Sequence, residues 1–148
     1  ITYHFHVYIR YELEKKLIDG SLKTNDIPQF WNEQYKNLLN VMVPDDKNGC
    51  LQDVHWSHGS FGYFPTYSLG SFYATQFYGA AIASGKEVET GLSSGNFKPL
   101  LHWLRTNIHA RGRYFTSDEL CKTVTGRALD ISGFTNYLLE KYAAIYNL

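Results

Sequence analysis

Phe5, Ile9, Leu13 and Leu17 recur at intervals of four near the start of this 148-residue chain, with Ile1 beside them. That spacing draws one apolar stripe along a helix; in a strand, alternate residues would share a face. The first helix is therefore expected over residues 1 to about 19, with Glu12 and Lys16 spaced for an i,i+4 pair on its wet side. Gly20 and Ser21 end it. A second helix should open near Asp26, with Pro28 in its first turn, and carry Trp31, Tyr35, Leu38 and Leu39. Pro44, Asp45, Asp46, Asn48 and Gly49 mark a long loop.

The same period returns after Pro65, which is well placed to begin a helix carrying Tyr67, Leu69, Phe72, Tyr73, Phe77 and Ala80. Gly85 ends it, and residues 91–95 read as another turn. Leu100, Leu101, Leu104 and Ile108 make the next stripe, closed by Gly112. Thr116 and Glu119 fit a capping box, and Gly126 suits the end of the short helix they start. Ile131, Phe134, Leu138, Tyr142 and Ile145 form the last stripe. No convincing alternation of apolar and polar residues occurs. The expected class is all-α, one domain over residues 1–148, with one long ordered loop.

Fourteen Lys and Arg balance fourteen Asp and Glu. A neutral chain gives no electrostatic reason to expect nucleic acid or an anionic membrane as partner. No apolar run approaches the ~20 residues that span a bilayer, and no signal peptide is visible. Two Cys, Cys50 and Cys121, make no secreted disulfide framework, which points to a reduced, cytoplasmic setting. Neither has a His or an acid spaced to activate it. Twelve Tyr, each an apolar ring with a polar tip, suggest a groove or interface with one wet side. The chain opens Ile-Thr-Tyr-His, inside a helical pattern and without a cap, as a piece of a longer protein would.

The chemistry is expected in residues 49–70, GCLQDVHWSHGSFGYFPTYSLG, which hold two His, a Trp, an Asp, two Tyr and four Gly with little helical period. Three readings compete there. Asp53, His55 and His58 offer a carboxylate and two imidazoles for a metal, at a spacing unlike the strong ligand motifs. Alternatively, His55 and Tyr63 polarise a substrate carbonyl, each donor worth ~3 kcal/mol in the transition state. In that reading Gly59 and Gly62 bend the backbone so that both side chains face one cleft, and Asp53 holds His55 in one tautomer. In the third, Trp56, Phe61, Phe64 and the Tyr residues are a loop folded on the core. On the first helix His6 and Arg10 lie one turn apart beside the stripe; they could bind a carboxylate or pair with an Asp or Glu elsewhere. His102, His109, Arg105, Arg111 and Arg113 read as surface.

These residues also carry a resemblance. Residues 49–70 resemble the G-x-x-Q-D-x-H-W signature and the following G-Y-F-P-T-Y-x-L-G of the thermostable (Taq-type) metallocarboxypeptidases. TYHFHVYIRYELEKKLIDG resembles that family's helix with L-H-I-x-x-R-x-E-x-E, and DIPQFWNEQY its L-P-x-x-W-N. FKPLLHWLRTNIHARGRYFTSDELCKTVTG and YLLEKYAAIYNL resemble its C-terminal end, so the likeness covers essentially the whole chain.

The resemblance implies the C-terminal helical part of a two-lobed, groove-containing, zincin-like fold, usually a homodimer. It implies removal of C-terminal amino acids from peptides with broad specificity. The family's zinc or cobalt is bound by H-E-x-x-H and a downstream Glu, with the Glu of H-E-x-x-H as general base. This chain contains no H-E-x-x-H. The chain alone is accordingly expected to be inactive, to bind no metal, and to need the missing N-terminal portion of its own polypeptide as partner. The family's segment proposed to hold the substrate carboxylate also lies upstream. Residue by residue, Gln52, Asp53, His55 and Trp56 fall on the first signature, and Tyr63 and Tyr67 on the second. The resemblance makes His55 and Tyr63 donors to the tetrahedral intermediate, with Tyr67 the second choice. Gln52, Asp53, Trp56, His6 and Arg10 become groove residues. The alternative is a non-catalytic helical domain that binds peptides or a partner helix in the same aromatic groove.

Overall fold

A computed structural model describes residues 2–147, and among them every regular element is helical. The chain divides into two compact units, Ile1–Leu69 and Gly70–Leu148.

In the first unit, α1 (Tyr3–Ile18) packs on α2 (Ile27–Leu39). Ile9 and Leu13 of the four-residue stripe are wholly buried, against Trp31, Tyr35 and Cys50. Leu17 closes the edge of this core, whereas Phe5 is 42% exposed beside Leu38 in a shallow apolar hollow. The buried stripe is thus one turn shorter than its sequence pattern. Trp31 stacks on Tyr35 with ring centres 4.8 Å apart. Glu12 pairs with Lys15 at 3.2 Å rather than with Lys16, whose ammonium lies over the Phe30 ring. Pro28 stands in the first turn of α2, as its fixed φ favours, and Asn40 ends the helix in the left-handed conformation.

The long loop after α2 holds a 3-10 turn, Cys50–Gln52, and a single helical turn, α3 (Val54–Ser57). Asp53 caps α3 by accepting the His55 N–H at 2.9 Å. Pro65 begins α4 (Pro65–Ala83).

The second unit holds most of α4, then α5 (Lys86–Ser93), α6 (Lys98–Asn107), a 3-10 turn at His109–Arg111, α7 (Ser117–Thr125) and α8 (Ser132–Tyr146). Helix α5 corrects the reading of residues 91–95 as a turn alone: the helix runs through Gly91 and ends at Ser93. Gly91 is buried, and a β-carbon there would lie 2.6 Å from the Asn96 carbonyl. The glycine serves close packing, not a break. The capping box is complete, with Thr116 and Glu119 bonding each other's backbone N–H, and Gly126 ends α7 at φ +76°. Buried Gln76 is fully engaged, donating to Thr125 and Ala128 and accepting from the Asp130 N–H. In α8, Phe134, Leu138 and Tyr142 are half-buried, but Ile131 and Ile145 are exposed. His102, His109, Arg105, Arg111 and Arg113 are exposed, as expected.

Candidate active site

Helix α1 places His6, Arg10 and Glu14 one above another, because residues four apart share a face. Each reaches a different neighbour. His6 Nδ1 lies 2.9 Å from the Tyr35 hydroxyl. Arg10 donates through Nε to Asp53 Oδ2 at 2.5 Å, and through a terminal nitrogen to the His6 carbonyl and the Tyr35 hydroxyl. Its guanidinium also sits 4.6 Å from the centre of the Trp31 ring. Of the two readings of His6 and Arg10, the structure shows the ion pair to an acid from elsewhere in the chain.

Asp53 is the hinge between this helix and the loop. Its side chain is 4% exposed. One oxygen takes Arg10; the other takes the His55 N–H and faces His55 Nδ1 at 2.8 Å. Burial pushes the Asp53 pKa up, but the hydrogen bonds from Arg10 and His55 outweigh it and hold the carboxyl below its ordinary value. A carboxylate can only accept, so His55 Nδ1 carries a proton. His55 Nε2 lies 2.9 Å from the Tyr67 hydroxyl. When the ring is neutral, Tyr67 donates to Nε2; when it is an imidazolium, Nε2 becomes a second donor. Burial and then the neighbouring Tyr63 push the Tyr67 pKa up, which keeps its hydroxyl proton in place.

The His55 ring is packed by three aromatics. Phe64 is 4.7 Å away centre to centre, Tyr67 meets it edge-on, and Tyr63 stacks at 6.0 Å. Tyr63 is half exposed and meets His55 through its ring; the hydroxyl bonded to His55 is that of Tyr67. His6, Arg10, Asp53, His55 and Tyr67, with Tyr3 and Phe64, line an open cavity of about 520 Å³.

Two residues with groove assignments lie elsewhere. Gln52 is exposed and donates to the Lys47 carbonyl. Trp56 packs edge-on against Trp31 in the core, with its indole N–H on Glu14 Oε1 at 3.0 Å. Glu14 is the residue that sequence reasoning missed. Its signal was there: it continues the His6–Arg10 column and stands on the last acid of the helix motif.

The donor set does not fit a metal centre. Both oxygens of Asp53 and both nitrogens of His55 are engaged within the chain, and His58 is exposed. Among the described residues no group of three or more His, Cys, Asp or Glu is placed to hold an ion. Cys50 and Cys121 are buried free thiols, and burial pushes that of Cys50 up. No described helix is long and apolar enough to cross a membrane.

The helical frame that carries this Asp–His–Tyr chain is shared with known proteins. Residues 1–142 match the model of the carboxypeptidase Taq (M32) metallopeptidases, and the chain belongs to that family. It is 45% identical to thermostable carboxypeptidase 1 of Thermus thermophilus over 99% of its own length and 29% of that protein's. It is 36% identical to carboxypeptidase 1 of Bacillus subtilis over 100% of its length and 30% of the relative's. Among solved structures, the M32 carboxypeptidase of Deinococcus radiodurans R1 superposes with a TM-score of 0.94 at 37% identity, over all of this chain and 30% of that one. The chain therefore spans about three tenths of the length of the relatives it matches.

Proposed function

We propose that this chain forms the oxyanion-binding wall of a metal-dependent carboxypeptidase that removes C-terminal residues from peptides with broad specificity. The observation that carries the reading is the relay Asp53–His55–Tyr67, with steps of 2.8 and 2.9 Å along one side of the cavity. In the transition state of peptide hydrolysis the carbonyl oxygen becomes negative. His55, as an imidazolium balanced by the Asp53 carboxylate, donates from Nε2. The Tyr67 hydroxyl, released from His55, donates beside it. Preorganised donors of this kind strengthen as the charge develops. Arg10 keeps Asp53 in place, and Tyr63 and Phe64 keep water from the faces of the imidazole. His6 and Arg10 act through position, and Gln52 and Trp56 support the loop from outside the cavity.

The metal, zinc or cobalt, would be held by parts of the polypeptide outside this chain, which has no fitting donor set. The working unit would be a cytoplasmic homodimer, in keeping with two free buried thiols.

Steady-state kinetics of the full-length enzyme test the reading. His55→Ala and Tyr67→Phe should each lower kcat by on the order of a hundredfold, with little change in KM. Tyr63→Phe keeps the stacked ring and should cost less. The reverse order for the two tyrosines would give the donor role to Tyr63. Unchanged rates in all three would leave the wall a packing feature of a peptide-binding domain.

A further inference from the structure

Glu14 is 4% exposed, and no cation pairs with it among the described residues. Its partners are two neutral N–H groups: the Trp56 indole on Oε1 and the Gly62 backbone on Oε2, each at 3.0 Å. A buried carboxylate without a counter-charge is costly, so such a residue is a poor device for stability alone. A carboxylate does, however, offer two oxygens to two donors and asks for no donor in return.

The two donors are placed tellingly. Trp56 follows His55 in sequence, and Gly62 precedes Tyr63. Glu14 therefore grips both ends of the turn that joins the imidazole to the Tyr63–Tyr67 segment. Inside the turn the Ser60 N–H returns to the His55 carbonyl at 2.9 Å, so the ends are tied to each other as well as to α1. Gly62 holds φ +74°, a left-handed conformation that glycine adopts freely and that aims its N–H at the carboxylate.

We infer that Glu14 is a positioning residue for the proposed oxyanion site, fixing His55 relative to Tyr63 and Tyr67 by clamping Trp56 and Gly62 with its two oxygens. The inference rests on the proposed role of His55 and Tyr67. It also explains the column on α1: Arg10 fixes the loop just before His55, through Asp53, and Glu14 fixes it just after. A glutamine at position 14 would keep one acceptor but turn an amide NH₂ toward the other N–H.

Kinetics of the full-length enzyme decide it. Glu14→Gln should lower kcat on the order of tenfold or more while KM stays within about twofold, because misplaced donors are felt in the transition state and not in substrate binding. The double variant Glu14→Gln/Trp56→Phe removes the donor that opposes the amide, so it should be no slower than Glu14→Gln alone. The nitrogen NMR signals of His55 should shift in Glu14→Gln, reporting a disturbed Asp53–His55–Tyr67 chain. If Glu14→Gln does not fold, Glu14→Asp, which keeps both acceptors one methylene back, takes its place, with a lowered kcat and held KM again expected. Wild-type kcat in the folded variant, with Tyr67→Phe still slow, would overturn the role of Glu14 and leave the oxyanion site standing. Wild-type kcat in Tyr67→Phe as well would overturn both.

Discussion

Arg10 and Asp53, 43 residues apart in the chain, are joined by a 2.5 Å ion pair, and that pair ties the rigid helix α1 to the loop that carries His55. Removing either partner does more than lose one contact. It leaves the other buried without its counter-charge and frees the imidazole to turn.

The pair sets a pH dependence of stability. The Asp53 carboxyl titrates below its ordinary value in the folded state, because hydrogen bonds from Arg10 and His55 outweigh the upward push of burial. A carboxylate depressed in this way contributes stability that is whole above its unfolded value, about 4, and is lost as pH falls through the folded one. Asp53→Asn should therefore lower stability at neutral pH and flatten its loss in acid. Urea midpoints from neutral pH down to the acid limb would show the two curves converging; parallel curves would mean Asp53 contributes nothing specific.

Gly91 offers a test of sign. At an exposed helical position Gly→Ala stabilises by up to about 1 kcal/mol. At position 91 the new methyl would meet the Asn96 carbonyl and Pro99, and should instead destabilise by about 1–3 kcal/mol. Thermal unfolding of wild type and Gly91→Ala gives the answer, and a raised midpoint would show that α5 and the Asn96 turn can move apart.

The donor set makes a prediction about metals. Zinc or cobalt added to the 148-residue protein by itself should not bind tightly in stoichiometric amount, and the protein should release no C-terminal residues from peptides. Tight binding of one equivalent would revive the Asp53–His55–His58 site. Appreciable turnover would show that this chain needs no further residues for catalysis.

Much of this was open to a reader of the residues. Stripes of apolar residues at helical spacing gave five of the helices, since burial of one face is what holds a helix in water. The capping box at Thr116 and the stop at Gly126 were local signals, and local signals survive folding. Residues 49–70 contain Asp53, His55 and Tyr67 of the cavity wall, and the Asp53–His55 contact was open to a reader of the spacing. Other features needed three dimensions. Helix α5 was lost because Gly91 looks like a breaker until the Asn96 carbonyl is seen against it. Tyr63 and Tyr67 differ only in which way α4 starts, so sequence could not tell which hydroxyl reaches His55. Trp56 stands in a signature for grooves and packs, partly buried, against the core, where its indole meets Trp31 edge-on and finds an acceptor in Glu14.

The polar column of α1 works as a ruler. An α-helix rises about 1.5 Å per residue, so Arg10 and Glu14 stand about 6 Å apart along the axis whatever the loop does. Asp53 docks on one mark, and Trp56 and Gly62 dock on the other. The spacing of the loop is thereby inherited from the pitch of a helix, the stiffest element available.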